Sequence, residues 1–196
     1  GSGVGNHTMI LYKQKPKLLC VTELFESRLE CTKNTFKLNN INNPKNVEYI
    51  VGDWLNINSN KKFDILITNP PFAASGKRNR RYFIDELILN SNKLLNDNGY
   101  LIFIQSSAAL IEQTILRLKQ NGYYNIAIPY IKRYYWRDYY FDDITYIKEA
   151  DYYLKNGFNS FDIDSSNGER IETLFVIMAQ IKPWKGTTIQ HSKSKL

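Results

Sequence analysis

Residues 69–72, Asn-Pro-Pro-Phe, follow the apolar run FDILIT and are the part of the sequence whose residue types most directly indicate chemistry. A planar amino or amide nitrogen is a poor nucleophile because its lone pair is delocalised into the neighbouring π-system. The Asn69 side-chain carbonyl and the Pro70 backbone carbonyl can accept both N–H hydrogens and aim that lone pair at an electrophilic carbon. Pro70 and Pro71 fix φ at this corner, and the Phe72 ring can stack on a planar substrate. The motif predicts a site that activates an amino nitrogen, and its structural alternative is a simple turn that ends a strand.

A glycine-rich segment, GSGVG, occupies residues 1–5 and precedes a short helical stretch, NHTMILYKQ. Glycines in such a loop let the backbone approach a nucleotide-like ligand, and the amino end of the helix offers unpaired N–H groups. A flexible terminus or a cloning remnant has the same composition. The loop therefore predicts a ligand site only in combination with the residues that follow it.

Two carboxylates, Glu23 and Asp53, each end a predicted strand. Open α/β sheets bind ligands at the carboxyl ends of their strands, where Glu23 can accept hydrogen bonds from ribose hydroxyls. Asp53 and the adjacent Trp54 can accept from an adenine amino group and pack on its ring. Each residue alone also fits a helix cap, a turn or a core position. The prediction depends on their falling at successive strand ends.

Two basic segments, residues 73–81 and 132–140, are candidates for binding an acidic substrate. The first suits a loop that closes over a phosphate, and the second interleaves aromatic rings with cations as single-strand-binding surfaces do. Their candidate substrate-binding residues are Lys77, Arg78, Arg80, Arg81, Tyr134, Tyr135 and Trp136. A solvated loop and a tyrosine-rich layer packed on the sheet are equally good alternatives.

The 196 residues fit one domain, and the formal charge of +7 with a pI near 9.2 favours an acidic partner such as nucleic acid. A biased genome rich in Lys, Asn and Ile gives the same charge. No apolar run approaches the roughly 18 residues that cross a bilayer. Two cysteines and two histidines predict neither a disulfide framework nor a metal site. With no signal peptide visible, we expect a cytoplasmic protein.

The apolar runs alternate with helical stretches, which predicts an α/β fold around a mainly parallel sheet. The clearest predicted strands are residues 17–23, 47–53, 63–69 and 99–105, with crossover helices at 27–40 and 81–99. Gly99 is the predicted stop of the second helix. A further helix is predicted at 108–122, and strands at 123–131 and 170–181 are predicted to close the sheet as an antiparallel pair.

The long segment between the last two strands, residues 132–169, predicts an insertion or a flap because it is too long for a plain turn. We expect one domain over residues 1–182. Residues 183–196 have the composition of a flexible tail.

In their order along the chain, GSGVG, Glu23, GDW at 52–54 and NPPF resemble class I S-adenosylmethionine-dependent methyltransferases, in the branch with an Asn-Pro-Pro-aromatic motif. That branch includes adenine amino methyltransferases, guanine amino methyltransferases of ribosomal RNA, and glutamine methyltransferases of peptide release factors. The resemblance covers residues 1–122 well and the last two strands loosely. It implies a Rossmann-like fold, with helices on both faces of the sheet and a final antiparallel strand. It also implies S-adenosyl-L-methionine as cofactor.

The resemblance also implies roles for individual residues. Its implied cofactor-binding residues are Gly1, Gly3 and Gly5 for the methionine part, Glu23 for the ribose, and Asp53 with Trp54 or Leu24 for the adenine. Its implied catalytic residues are Asn69, Pro70, Pro71 and Phe72, which hold the acceptor nitrogen. No general base is required, because the methylated nitrogen is acidic enough to lose its proton to water or a carbonyl.

One departure from the family pattern concerns the first strand. Members of the family have a strand and an acidic residue ahead of the glycine loop, and this sequence begins on the loop itself. We expect the first, central strand to be absent from this chain. Three explanations stay open: the sequence is a fragment, another segment or a second chain fills the slot, or this copy is defective. An unfilled slot would leave two neighbouring strands with unpaired edges.

Three functions remain open from the sequence. The first is an N-methyltransferase acting on adenine or guanine in RNA or DNA, with the target base flipped or unpaired. The second is a protein glutamine N-methyltransferase acting on release factors, because a glutamine amide poses the same electronic problem. The third is a noncatalytic partner subunit that keeps the methyltransferase fold.

Overall fold

The chain folds into alternating helices and strands, as its apolar pattern predicts. A computed structural model describes residues 1–42, 44–53, 61–70 and 81–183. Its helices in these ranges are α1 (Asn6–Lys13), α2 (Glu26–Leu38), α3 (Tyr82–Ser91), α4 (Ile111–Gln120), α5 (Asp138–Phe141) and α6 (Ile144–Lys155), with a 3-10 turn at Ser107–Ala109. Its strands are β1 (Leu19–Glu23), β2 (Val47–Val51), β3 (Phe63–Thr68), β4 (Leu95–Ser106), β5 (Tyr123–Tyr135), β6 (Asp162–Ile163) and β7 (Arg170–Ile181). Among the described helices, none combines the length and the apolar character that a bilayer crossing needs.

Within the described residues, the strands form two hydrogen-bonded groups. β1 and β2 pair in parallel, with Glu23 opposite Val51 at their carboxyl ends. The larger group has the order β3-β4-β7-β5, and β6 pairs with the start of β7. β3 and β4 are parallel, whereas β7 runs antiparallel to β4, β5 and β6. The predicted fold class, with its reversed final strand, is confirmed.

The main core lies on the face of the larger sheet that α3 and α4 cover. Leu101 and Phe103 of β4 are fully buried and alternate with partly exposed neighbours, as expected for a strand with one covered face. From α3, Ile84, Leu87 and Ile88 pack against them at helical spacing. Burying one such side chain stabilises the fold by about 1.5–3 kcal/mol.

The crossover predicted as one helix over residues 81–99 is wrong in its second half. The helix ends at Ser91, and β4 already begins at Leu95, which pairs with Phe63 and is buried in the core. Gly99 lies within β4 rather than at a helix end. A side chain there would meet the carbonyl oxygens of Phe63 and Asp64 at 3.2 Å, beside the register shift between β3 and β4. Helical periodicity misled the prediction because strand pairing is not visible in local sequence.

The predicted insertion of residues 132–169 begins on a strand, because β5 continues to Tyr135. Beyond it, α5, α6 and β6 surround a second apolar cluster separate from the main core. α6 begins at Ile144 because the Asp143 carboxylate accepts hydrogen bonds from the backbone N–H groups of Thr145 and Tyr146, both at 3.0 Å. This segment follows the carboxyl end of β5 and precedes the start of β7, so it lies at the same sheet edge as the carboxyl end of β4.

β1 in the smaller group and β3 in the larger group each have one edge without a described partner. β1 pairs only with β2, and β3 pairs only with β4, among the residues that the structure describes. Ile65 and Ile67 of β3 are 53% and 39% exposed, which is high for isoleucines in the middle of a parallel pair.

Candidate functional site

The carboxyl ends of β1 and β2 lie side by side and bring two predicted site residues to one edge. The Gly52 N–H donates to the Glu23 backbone carbonyl at 2.8 Å, which holds the strand ends together. Asp53 follows immediately and is exposed. Glu23 is the last residue of β1, as predicted, whereas Asp53 lies two residues beyond the end of the neighbouring strand β2.

The glycine loop folds over the end of β1. The Ser2 N–H donates to the Thr22 carbonyl at 3.1 Å, and the Gly3 N–H donates to the Glu23 carboxylate at 2.5 Å. From α2, the Thr32 hydroxyl bonds the Ser2 hydroxyl at 2.8 Å and the Gly3 carbonyl at 3.2 Å. The loop is therefore fixed from both sides before α1 begins.

Two of the three predicted loop glycines are required by geometry, for different reasons. Gly5 has φ +88°, and a side chain there would come within 3.0 Å of the Thr32 methyl carbon. Gly3 has φ +57°, and no atom lies within 4 Å of the place a Cβ would take. Gly5 thus permits close packing on α2, and Gly3 leaves open space on the outer side of the loop.

Glu23 is buried, with 4% of its surface exposed, directly beneath this loop. One carboxylate oxygen is engaged by Gly3, and the Gly1 backbone lies against the same carboxylate. The next residue, Leu24, is exposed. Glu23 therefore orders the loop in addition to lying where the sequence predicts a ribose acceptor.

Asn69 lies at the carboxyl end of β3, is exposed, and lines a cavity of about 200 Å³. Pro70, immediately after it, is buried. The cavity lies between α1 and the strands β3, β4 and β7. Its lining residues are His7, Ile10, Leu11, Ile67, Thr68, Asn69, Ile102, Phe103, Ile104 and Val176. The structure thus brings the asparagine motif and the helix after the glycine loop to one cavity.

His7 is a cavity residue that the sequence analysis missed. It is exposed on the first turn of α1 and lines the cavity together with Asn69. Its position just after the glycine loop is the sequence feature that could have indicated a site residue. A lone histidine in a short helix has no spacing pattern that predicts such a role. His7, Thr68 and Asn69 are the polar residues of the lining, and its other residues are apolar.

The structure argues against a substrate-binding role for Arg81. Its guanidinium is buried and donates to the carbonyls of Ala109 and Leu110 and to the Thr114 hydroxyl at the start of α4. It also pairs with Asp85 at 2.8 Å. These bonds engage the carbonyls of the two residues that precede α4 and a hydroxyl within it, so Arg81 fastens the start of α3 to the start of α4 and its guanidinium is used inside the protein.

Trp136 is likewise corrected from a stacking residue to a packing residue. Only 7% of it is exposed, and its ring contacts Tyr140, Tyr146 and Phe161 at centroid distances between 5.1 and 5.8 Å. The Arg170 guanidinium lies 4.8 Å from its ring centroid. A base cannot stack on a ring whose faces are already occupied.

The remaining predicted residues fall into two groups. Tyr134 and Tyr135 are exposed on β5, as a surface role requires. Outside the described residues lie Trp54, Pro71, Phe72, Lys77, Arg78 and Arg80, together with residues 184–196 of the predicted tail.

Residues 1–126 match the family model described as the methyltransferase small domain. The chain belongs to this family. Its members are S-adenosylmethionine-dependent methyltransferases, so the domain is a methyltransferase and its cofactor is S-adenosyl-L-methionine. The described residues fit that cofactor, because the loop leaves open space at Gly3, sets a helix amino end behind it, and holds a carboxylate at the end of β1.

Two curated relatives of this methyltransferase domain act on different substrates. The ribosomal RNA large subunit methyltransferase K/L of Buchnera aphidicola is 27% identical over 100 residues, 47% of this chain and 14% of the relative. A Methanocaldococcus jannaschii protein with the provisional name protein N5-glutamine methyltransferase is 25% identical over 138 residues, 63% of this chain and 68% of the relative. The chain thus spans about one seventh of the first relative's length and about two thirds of the second's.

The fold of this methyltransferase domain also matches solved structures. The YcgJ protein of Bacillus subtilis superposes with a TM-score of 0.58 at 10% identity, over 94% of this chain and 90% of that protein. Because the identity is low, the match establishes only the fold, which is the Rossmann-like methyltransferase fold.

Proposed function

We propose that this domain methylates the exocyclic amino group of an unpaired adenine or guanine in RNA or DNA. The observation that carries the proposal is the position of Asn69, exposed at the end of β3 and lining a cavity that α1 shares. A site for an amino group must be open to a planar substrate on one side and close to the cofactor loop on the other. Asn69 meets the first condition directly, and α1 links its cavity to the loop.

The chemistry assigned to Asn69 is orientation of the acceptor nitrogen. Its Oδ1 accepts one N–H hydrogen, and the Pro70 carbonyl, fixed by two successive prolines, accepts the other. Both acceptors stabilise the positive charge that develops on nitrogen in the transition state, which lowers the barrier. Pro71 and Phe72 complete this motif in the proposal. The nitrogen then loses its proton to water or to a carbonyl.

The cofactor supplies a sulfonium-activated methyl group when bound. We assign its methionine part to the loop glycines and its ribose to Glu23. The adenine is assigned to Asp53 with Trp54 or Leu24. The open side of Gly3 and the strand-end position of Glu23 support this arrangement.

A nucleic-acid substrate is favoured over a protein by charge. The chain carries a formal net charge of +7, and Lys77, Arg78 and Arg80 follow the motif directly. Binding through phosphates would then weaken as salt rises. An RNA-modifying enzyme among the relatives is in line with this choice.

Glutamine methylation of a protein is the alternative, and one observation favours it. The relative named for glutamine covers 63% of this chain, more than the 47% covered by the RNA-modifying relative. The Asn69 chemistry is the same in both cases, so the substrate must be decided by experiment.

Transfer of radiolabel from S-adenosylmethionine to single-stranded RNA, single-stranded DNA or a glutamine-containing peptide tests the proposal. We expect labelling of an oligonucleotide, and a loss of roughly 100-fold or more in Asn69→Ala, with cofactor binding by calorimetry unchanged. Asn156→Ala, a change at an exposed asparagine after α6, is the matched control. Labelling of the peptide alone would establish the alternative, and labelling of none would overturn both.

We further propose that an apolar strand from a second chain or from another segment pairs with the open edges of β1 and β3. The exposed Ile65 and Ile67 of β3 support such an occupant. Residue-resolved hydrogen exchange tests this. We expect slow exchange for amides of β1 and β3 that point away from β2 and β4. Exchange at the rate of unpaired amides would contradict the pairing.

A further inference from the structure

We propose that Tyr130, Lys132 and Tyr134, here called the β5 platform, bind unpaired nucleotides next to the base that enters the Asn69 cavity. This inference rests on the proposed nucleic-acid substrate. It assigns the path of the single-stranded nucleic acid across the β-sheet, which the methylation activity alone does not specify.

The three platform residues share one face of β5, because alternate residues of a strand point the same way. Every residue from Pro129 to Tyr135 is exposed, with Tyr130 at 55% and Tyr134 at 37%. Lys132 lies between the two rings, and its ammonium is 5.2 Å from the Tyr134 ring centroid. The face therefore presents two accessible aromatic rings with a cation between them.

The opposite face of the same strand is already engaged. Arg133 pairs with Asp162 at 2.9 Å, and the Tyr135 hydroxyl donates to Asp164 at 2.7 Å. These bonds connect β5 to the β6 turn. Both faces of this stretch are exposed, but they differ in their partners: Tyr135 is bonded to the β6 turn, whereas Tyr134 has the Lys132 ammonium beside its ring.

Strand register places the platform in line with the catalytic asparagine. Asn69 lines the cavity together with Ile104 and Val176, and Ile104 pairs with Val176 across β4 and β7. Val176 pairs in turn with Tyr130 across β7 and β5. Because directly paired residues point to the same face, Tyr130 lies on the face that carries the cavity.

The distance between β3 and β5 suits a short stretch of single-stranded nucleic acid. Three steps between neighbouring strands, at about 4.8 Å each, separate β3 from β5 by about 14 Å. A stacked single strand rises about 3.4 Å per nucleotide, so the gap corresponds to a few nucleotides. Lys132 and Tyr134 lie two and four residues beyond Tyr130, toward the carboxyl edge where ligands bind.

Charge and chemistry together indicate the occupant. Bases stack on tyrosine faces without regard to sequence, and an adjacent lysine neutralises a phosphate. Arg137, whose guanidinium lies 6.0 Å from the Tyr139 ring centroid, extends the same combination past the strand end. The carboxylate nearest the platform in register is Glu172, opposite Tyr134. It is buried and accepts from the Tyr140 hydroxyl at 3.0 Å, so it presents no surface charge.

Fluorescence anisotropy with a labelled adenine-rich single-stranded oligonucleotide tests the platform. We expect Tyr130→Ala combined with Tyr134→Ala to weaken binding by roughly tenfold or more. Lys132→Ala should lower the salt slope of log Kd by about 0.7. Tyr152→Ala is the control, because Tyr152 is 61% exposed on α6 and should leave binding unchanged. The midpoint of thermal unfolding should be nearly the same for the unmodified protein and these three variants.

The outcomes separate the platform from the proposed function. Methylation and binding of the oligonucleotide that are unchanged in the double tyrosine variant would overturn the platform and leave the proposed function standing. An unmodified protein that labels only the peptide and binds no oligonucleotide would overturn both. Self-association that is lost in the double variant would assign the face to a second copy and overturn the platform.

Discussion

Two aromatic regions at the end of β5 have similar composition and different environments. Trp136 is enclosed by Tyr140, Tyr146 and Phe161, while Tyr130 and Tyr134, which precede it in β5, are exposed. The segment KRYYWRDYY therefore contains both packing residues and surface residues. Burial separates the two groups, and the same contrast separates Arg81 from Arg133, Gly5 from Gly3 and Cys20 from Cys31.

The largest expected difference in the free energy of unfolding is between substitutions at Trp136 and at Tyr135. Trp136→Ala should lower the free energy of unfolding by about 3–5 kcal/mol, because it empties the centre of a buried aromatic cluster. Tyr135→Ala, which removes an exposed ring one residue earlier, should cost far less. Urea unfolding measures both. Similar losses in the two variants would show that burial does not separate their roles.

The arginine pair comes next. Arg81→Met should lower the free energy of unfolding by about 3 kcal/mol, because the carbonyls and hydroxyl that it serves lose a buried charged donor. Arg133→Met removes an exposed arginine with one ion pair and should change stability little. Thermal unfolding of both variants checks this. An Arg81 variant as stable as the Arg133 variant would restore Arg81 as a candidate for substrate binding.

The glycine pair should give a smaller effect. Both residues have positive φ, so an alanine at either position costs about 1 kcal/mol from the backbone alone. Gly5→Ala should cost about 1–2 kcal/mol more, because its Cβ would press on Thr32 at 3.0 Å, whereas Gly3→Ala meets open space. Urea unfolding measures the difference. If Gly3→Ala proves the more destabilising change, the loop does not pack on α2 as described.

The cysteine pair differs in reactivity while the fold stays unchanged. Burial, followed by the nearby Glu48 carboxylate, raises the pKa of the Cys20 thiol to about 11. Since the thiolate is the nucleophile, alkylation of Cys20 at pH 8 should be at least about tenfold slower than that of an ordinary thiol and should rise toward pH 11. Cys31 is exposed and serves as the internal comparison. Peptide mapping after timed iodoacetamide treatment distinguishes the two, and equal rates would contradict the raised pKa.

The candidate site was predictable where it depends on strand ends. Glu23, Asp53 and Asn69 each lie at the end of an apolar run, and parallel pairing brings the carboxyl ends of β1 and β2 to one edge. His7 was not predictable, because its relevance arises from the packing of α1 beside β3. Arg81 and Trp136 were misjudged for a related reason. A charged or aromatic residue in a polar segment has the same sequence signature whether it faces solvent or a core.

The sequence by itself determined the fold class and the order of most elements, because local apolar patterns contain that information. The chemistry of the asparagine motif remains a prediction from its residue types. Tertiary structure decided which side chains are buried and which are exposed. The start of β4 at Leu95, the placement of β7 between β4 and β5, and the exposure of β5 from Pro129 to Tyr135 all depend on pairing between distant segments. Such pairing follows from long-range burial, so it cannot be read from neighbouring residues.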